Sequence, residues 1–330
     1  MKKIIVDTLG SDFGDIPIIK GALRALSENP SLFLVFVGNS SSIKAQIQES
    51  DADSSRIEIL DTDEFVSDDA LPTCVFKGCD NTSMVMALSH LKDTPDSIGM
   101  ICAGNTGALL VGSICRLGLV PGLKSPALAT AIPVKEYGSG LVCLTDCGAN
   151  TQCTPSDLKR FALMGNAFIK CLTGISDPKV ALMSVGRSSH KGNDLIKEAY
   201  PLISQLPINF IGNIEGCDLI NSEADVIVTD GFTGNILLKN TEACGMAALS
   251  AIDLFGELSD AFTSLKNNLK KMFSFNDRGG ATFLGTKKTI VKMHGCANEN
   301  TAYACINQVL DLESRNFSAQ ISDAVLLSQK

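Results

Sequence analysis

The chain is poor in the signals that mark most functional classes. No run of eighteen uncharged apolar residues occurs, so nothing reads as a membrane-spanning helix. The start, Met1-Lys-Lys-Ile-Ile-Val-Asp7, reaches an aspartate after three apolar residues, too few for a signal-peptide core, and a cytoplasmic protein is expected. Low-complexity linkers and internal repeats are absent. So is an excess of basic residues: the net charge of −8 argues against a surface that grips nucleic acid throughout, because neutralising phosphates takes clustered Lys and Arg. Twelve cysteines are present but no CxxC pair, and Cys143, Cys147 and Cys153 have no zinc-site spacing, so buried free thiols are expected. Missing too are GxGxxG after the first strand, the GxxxxGK[ST] phosphate loop, the GxSxG elbow and the HExxH pair. These absences count against dehydrogenase, ATPase, serine-hydrolase and zinc-peptidase chemistry.

What is present is a large apolar fraction, 45 % of 330 residues, enough for one large domain or two lobes, with any division near residues 120 to 130. Short runs rich in Val and Ile read as strands at Lys3–Asp7, Leu32–Gly38, Arg56–Leu60, Ile98–Ala103, Leu141–Asp146, Val180–Gly186, Ile208–Ile211 and Ala224–Asp230. Helical periodicity falls between them at Ile16–Ser27, Thr82–Leu91, Ala108–Leu117 and Leu158–Leu172, whereas Ser40–Ser42 and Ser50–Ser55 read as surface loops. This alternation predicts βαβ units and a mainly parallel sheet covered by helices on both faces.

Four of the strand-like runs end in glycine-bracketed turns: Cys102–Ala108, Asp146–Asn150, Gly186–Asp194 and Asp230–Asn235. A turn from a buried strand into a helix exposes unpaired N–H groups, and glycine admits a ligand close to them, so the four together suggest a composite anion site at the strand C-termini. Lys191 in the third turn is either a point charge for phosphate or a solvated loop lysine. Asn105, Asn150, Asn193 and Asn235 are either ligand-orienting groups or turn residues that tolerate left-handed backbone. His190 and His294 are the candidate bases.

A helical, amphipathic and basic segment is expected at about 240–275. Leu258, Phe262, Leu265, Leu269 and Met272 share one helix face. From Ala261 to Met293, seven basic residues (Lys266, Lys270, Lys271, Arg278, Lys287, Lys288 and Lys292) face a single acidic one. The segment reads equally as a core-facing or dimer-interface helix and as a surface meeting anionic lipid or an acidic protein.

As a set these motifs resemble the bacterial phosphate acyltransferase family, the acyl-carrier-protein-dependent enzymes of phospholipid synthesis. The resemblance rests on Val6–Asp12, Ala103–Ala108, Asp146–Asn150, Met164-Gly165, Lys191-Gly-Asn193, Phe210–Gly216, Asp230–Lys239, Gly279–Ala281, Leu284-Gly285 and His294-Gly295, in the family's order along nearly the whole chain. It implies a three-layer α/β/α fold similar to isopropylmalate dehydrogenase and phosphate acetyltransferases, a homodimer, and peripheral association with the membrane. It also implies transfer of a fatty acyl group from a carrier-protein thioester to inorganic phosphate. Phosphate is itself the nucleophile, so no metal or organic cofactor is expected; the protein has to position it and stabilise an oxyanion.

On this reading Lys191, Asn235 and His294 are the catalytic residues. Gly104, Asn105, Thr106, Asp146, Asn150, Asn193 and Asp230 form the phosphate and substrate site, and Lys266, Lys270 and Lys271 dock the acidic carrier protein. The chain departs from the family pattern at Phe13, where a histidine is usual, at Arg187-Ser-Ser-His190, where acidic residues are usual, and after His294-Gly295, at Cys296–Thr301. Two alternatives stay open: an acetyl- or butyryltransferase using coenzyme A thioesters, and a non-catalytic protein that binds the acyl carrier. A nicotinamide oxidoreductase on the same fold is disfavoured, because residues to hold a metal-bound hydroxy acid are not evident.

Overall fold

In the computed structural model of the chain, residues 1–133, 140–221, 223–254, 263, 266, 269 and 279–329 are described. In chain order the strands are β1 (Lys2–Asp7), β2 (Leu32–Gly38), β3 (Ile57–Asp61), β4 (Ser97–Cys102), β5 (Ala127–Pro133), β6 (Leu141–Thr145), β7 (Lys179–Met183), β8 (Asn209–Ile214), β9 (Val226–Val228), β10 (Ala281–Leu284) and β11 (Thr289–Lys292). The helices are α1 (Ile16–Glu28), α2 (Ser40–Gln48), α3 (Ser83–Asp93), α4 (Thr106–Gly112), α5 (Pro155–Thr173), α6 (Asp194–Ser204), α7 (Gly231–Leu254), α8 (Glu299–Ser314) and α9 (Phe317–Ser328). They divide between two compact units, Met1–Pro126 with Asn276–Lys330, and Ala127–Phe275.

The first unit carries strands in the order β3-β2-β1-β4-β11-β10, all parallel except the β10–β11 pair. Its core gathers Ile4, Val6, Phe36 and Ile101 from the strands with Ile18, Leu26, Ile306 and Val309 from α1 and α8, all fully buried. The strand runs are apolar on both faces, as expected where helices cover a parallel sheet on each side. The second unit orders its strands β5-β6-β9-β7-β8, with β5 and β6 antiparallel and the rest parallel. There α5 starts with a capping box, Thr154 with Asp157, and Pro155 follows the cap where its missing N–H costs nothing. The mainly parallel, helix-covered architecture is the three-layer α/β/α class the sequence pattern predicts.

Three local readings are corrected. Ser40–Ser42 is not a surface loop but the first turn of α2, because the Asn39 side chain accepts the Ser42 N–H at 2.8 Å and caps a helix of weak propensity. The expected helix Ala108–Leu117 is α4 followed by a π-helical turn, Ser113–Leu117. The cysteines are free thiols but not uniformly buried, since Cys115, Cys217 and Cys244 are exposed. Of the expected segment at 240–275, residues 240–254 belong to α7 and Thr263, Lys266 and Leu269 are helical. Leu258, Phe262, Leu265, Met272, Lys270 and Lys271 lie outside the described residues.

Candidate active site

Three of the four glycine turns lie in the second unit, and two of them interlock. Gly231 donates its N–H to the Asn150 carbonyl at 2.8 Å. A Cβ on Gly231 would sit 2.6 Å from that oxygen, and one on Gly234 would meet the Asp146 carbonyl oxygen far inside contact distance. Only glycine lets the first turn of α7 pack backbone to backbone on residues 146–150. Gly234→Ala is therefore expected to displace both turns. Such overpacking costs typically about 1–3 kcal/mol and more where backbone is the obstacle, so a lowered thermal midpoint together with lost turnover is the expected outcome. Parent-like values for both would show that the contact relaxes freely.

Asp146 holds its own turn rather than a ligand. Its carboxylate is fully buried; Oδ1 accepts N–H groups of Leu128, Gly148 and Ala149 at 3.0, 3.1 and 3.0 Å, and Oδ2 accepts the Asn150 N–H and side-chain amide at 2.7 Å each. Burial pushes its pKa up, while the bonds from Ala149, Asn150 and Leu128 pull it back. Five donors leave no lone pair for substrate, and none would favour a second anion beside them. The Asp146 carboxylate is thus taken up within its own turn, and Asn150 gives both its backbone and side-chain N–H to it.

The asparagines also resolve. None of the four is in left-handed backbone; Asn316, at φ 55°, is the one non-glycine residue with positive φ among those described. Asn105 and Asn193 are helix N-caps, accepting the N–H groups of Ala108 at 2.9 Å and Ile196 at 3.0 Å. The Asn105 amide is further committed to the carbonyls of Ser67 and Asp68, both at 3.1 Å, so in the first unit Asn105 shapes the turn beside buried Gly104 while Thr106 stays exposed. Asn235 is exposed in the first turn of α7, with its amide donating weakly to the Cys147 carbonyl at 3.4 Å.

Between the ends of β7 and β9 and the starts of α6 and α7 lies a slot of about 430 Å³. Val185, Ile196, Phe232 and Ile236 form apolar walls, and Asn193, Asp230 and Thr233 stand at its polar side. Val185, Phe232 and Ile236 are exposed by 80, 59 and 54 %, unusual for large apolar side chains unless something covers them in use. Thr229 and Ser184 line the same slot, and their buried hydroxyls have no hydrogen-bond partner among the described residues. Asp230 caps α7, its carboxylate taking the Thr233 N–H at 2.9 Å and hydroxyl at 2.8 Å. Sequence reading missed the apolar wall; its signal was Phe232 and Ile236, four apart on one face of a helix start.

Lys191 stands exposed in the loop between β7 and α6, its ammonium in no ion pair among the described residues. The extra positive charge brought by Arg187 is largely spent, for its guanidinium pairs with Asp218 at 2.7 Å. His190 is exposed and takes no visible part. In the first unit His294 is exposed too, its Nδ1 facing Cys296.

Two residues counted in the basic segment are consumed internally. Lys288 Nζ donates to the carbonyls of Leu91 and Thr94 at 2.7 and 2.6 Å, and burial lowers its pKa. Lys292 is buried, with Nζ bonded to the carbonyls of Ala103 at 2.7 Å and Met293 at 2.5 Å. Neither adds to a docking surface, because backbone oxygens already hold their protons. Asp7 lies near Lys292 and accepts the Cys102 thiol at 3.1 Å, yet burial raises its pKa to about 6. A folded pKa above the unfolded value contributes stability that is complete below about 3.8 and lost as pH rises through about 6, a loss of about 3 kcal/mol. Asp7→Asn is expected to remove that dependence, read as thermal midpoints at pH 4 to 7; parallel curves for the two proteins would contradict it.

Among the described residues no group of three or more His, Cys, Asp or Glu side chains is disposed to hold a metal ion, and no helix is long and apolar enough to cross a membrane.

The model of a family described as fatty acid synthesis protein matches residues 2–320. A phosphate acyltransferase of Clostridioides difficile (strain 630) is 37 % identical over 93 % of this chain and 91 % of its own length. One from Bacillus cereus (strain B4264) is 33 % identical over 98 % of both. Among solved structures, a phosphotransacetylase from Streptococcus pyogenes superposes with a TM-score of 0.63 at 16 % identity, covering 94 % of each chain, which shows a shared fold. The chain belongs to the phosphate acyltransferase family and is an enzyme of the acyltransferase class.

Proposed function

We propose that this enzyme moves a fatty acyl group from an acyl-carrier-protein thioester to inorganic phosphate, yielding acyl phosphate for phospholipid synthesis. The observation that carries the reading is the slot of the second unit: apolar walls, two hydroxyls without partners among the described residues, and two helix N-termini, with Lys191 on the adjoining loop. An acyl donor has this mixed character, a hydrocarbon body with polar atoms at the reacting end. Helix N-termini and an ammonium group stabilise the charge that builds on oxygen as phosphate attacks the thioester carbon. Lys191 would supply the point charge, Asn235 a donor to the same oxygens, and Asn193 and Asp230 the caps that aim the helix ends. His294 would serve proton transfer, and Gly104, Asn105 and Thr106 a phosphate-binding turn in the first unit.

The acyl carrier is an acidic partner on this reading, so Lys266, half-buried and helical, and Lys270 and Lys271 are its docking residues. The relatives support the transferase class but leave the donor open, and coenzyme A thioesters are the rival. An assay of phosphate-dependent thiol release, run in parallel with acyl-carrier-protein and acyl-coenzyme A, separates them. Faster turnover with coenzyme A would reassign the donor; carrier binding without release of thiol would make the chain a binder. Charge reversal at Lys270 and Lys271 is expected to raise the KM for the acyl carrier several-fold, while the parent loses affinity for it with added salt. An unchanged KM would leave the segment to lipid contact or to a homodimer interface, the other roles proposed for it.

A further inference from the structure

The loop after β11 carries a thiol–imidazole pair whose thiol the acyl-transfer reading leaves unused. His294 Nδ1 lies 3.0 Å from Cys296 Sγ and 3.3 Å from the Cys296 backbone nitrogen. A backbone N–H directed at Nδ1 makes that nitrogen an acceptor, so the ring proton sits on Nε2 and the thiol proton is directed at Nδ1. The separation is that of a nucleophile and its base. Gly295, between the two, is anchored: its carbonyl accepts the Asp12 N–H at 2.9 Å and the Ser11 hydroxyl at 3.0 Å. Ser11 and Asp12 line a crevice of about 600 Å³ in the first unit, with Leu9, Phe65 and Val66 as its apolar part. Through Gly295 the loop that carries the pair is tied to two residues lining a space able to admit a small acyl donor. Cys296 is half-buried, whereas Cys115, Cys217 and Cys244 are exposed, yet no histidine stands within hydrogen-bonding distance of those three among the described residues; Cys217 faces the Glu215 carboxylate at 3.9 Å.

We propose that Cys296, with His294 as its base, is a self-acylation site that takes an acyl group from an activated donor, either a thioester or an acyl phosphate. Sγ attacks the carbonyl carbon; the new S–C bond forms as the donor's C–S or C–O bond breaks. The thiol proton passes to His294 Nδ1 and from there to the departing thiolate or phosphate. No electrons are gained or lost, and the product is an enzyme-bound thioester. Only the choice of activated acyl groups as ligands rests on the proposed function; the pairing of thiol and base does not.

The full chain is incubated with acetyl-coenzyme A and, separately, with acetyl phosphate, and acylated cysteines are located by peptide mass spectrometry, with reversal by hydroxylamine. Cys296 is expected to acylate at least about a hundredfold faster than Cys115, Cys217 and Cys244, the lower end of what a positioned base contributes. His294→Asn is expected to bring it down to their rate. Adducts from acetyl-coenzyme A alone name the thioester as donor, and adducts from acetyl phosphate alone name the acyl phosphate; either supports the site. Equal rates at all four cysteines overturn the proposal. So does preferential alkylation of Cys296 by iodoacetamide with no adduct from either acyl donor, since that shows a reactive thiol that refuses acyl groups. Phosphate-dependent thiol release, measured apart, decides the acyltransferase reading independently.

Discussion

Asp146→Asn is expected to be among the most damaging single substitutions in the chain, although it exchanges one oxygen for an NH₂ group. The carboxylate, itself fully buried, receives three N–H groups on one oxygen and two on the other. An amide has one acceptor and one donor end. In either orientation its NH₂ faces N–H groups, leaving at least two buried donors unpaired. Each unmet buried donor costs about 1–3 kcal/mol, so a loss of about 3–5 kcal/mol is expected, or a thermal midpoint lower by about 5–10 °C. The effect should reach activity, because the first turn of α7, with Asn235, rests on residues 146–150. The check is a thermal melt with parallel turnover measurement. A midpoint close to the parent's would mean that the turn keeps its shape without the carboxylate.

Lys191→Ala is expected to do the opposite, removing activity with the fold intact. The side chain is exposed and makes no ion pair among the described residues, and surface changes of that kind alter stability by under about 0.5 kcal/mol. A cation that meets charge developing on oxygen is worth far more in the rate: removing one such group costs about 10²–10³ in kcat. Steady-state kinetics at varied phosphate are the measurement. A fall in kcat and in kcat/KM for phosphate, with an unchanged melt, is the expected result. Near-parent kinetics would remove Lys191 from the mechanism and leave the helix N-termini as the anion-stabilising groups. Arg187→Ala is the control on the same loop: its charge is already met by Asp218, so its effect on turnover should be small.

The fold was legible where the local signal and the global demand coincide. Leu32–Gly38 is a strand with the expected bounds because a run apolar on both faces suits only a covered parallel sheet. Strands β5, β10 and β11 were not seen, since Ala127–Pro133 is rich in small residues and Ala281–Leu284 and Thr289–Lys292 are four residues each. Runs that short carry too little periodicity to stand out. The site was legible as a set of turns but not as a division of labour among them. Glycine spacing marked 146–150 and 230–235 as unusual; it could not tell that Asp146 faces inward on five donors while Lys191 faces out.

Alone, the order of residues determined the class of architecture, the turns at strand ends and the family, because apolar periodicity, glycine and cap chemistry act over a few neighbours along the chain. Tertiary structure decided which polar groups remain free for chemistry. Lys288 and Lys292 look like surface charges and are held by backbone oxygens of distant segments, and Asp146 looks like a ligand and binds the Leu128 N–H of the neighbouring strand along with its own turn. A side chain's availability is set by what surrounds it in three dimensions, and burial and hydrogen-bond partners come from segments that no local pattern links.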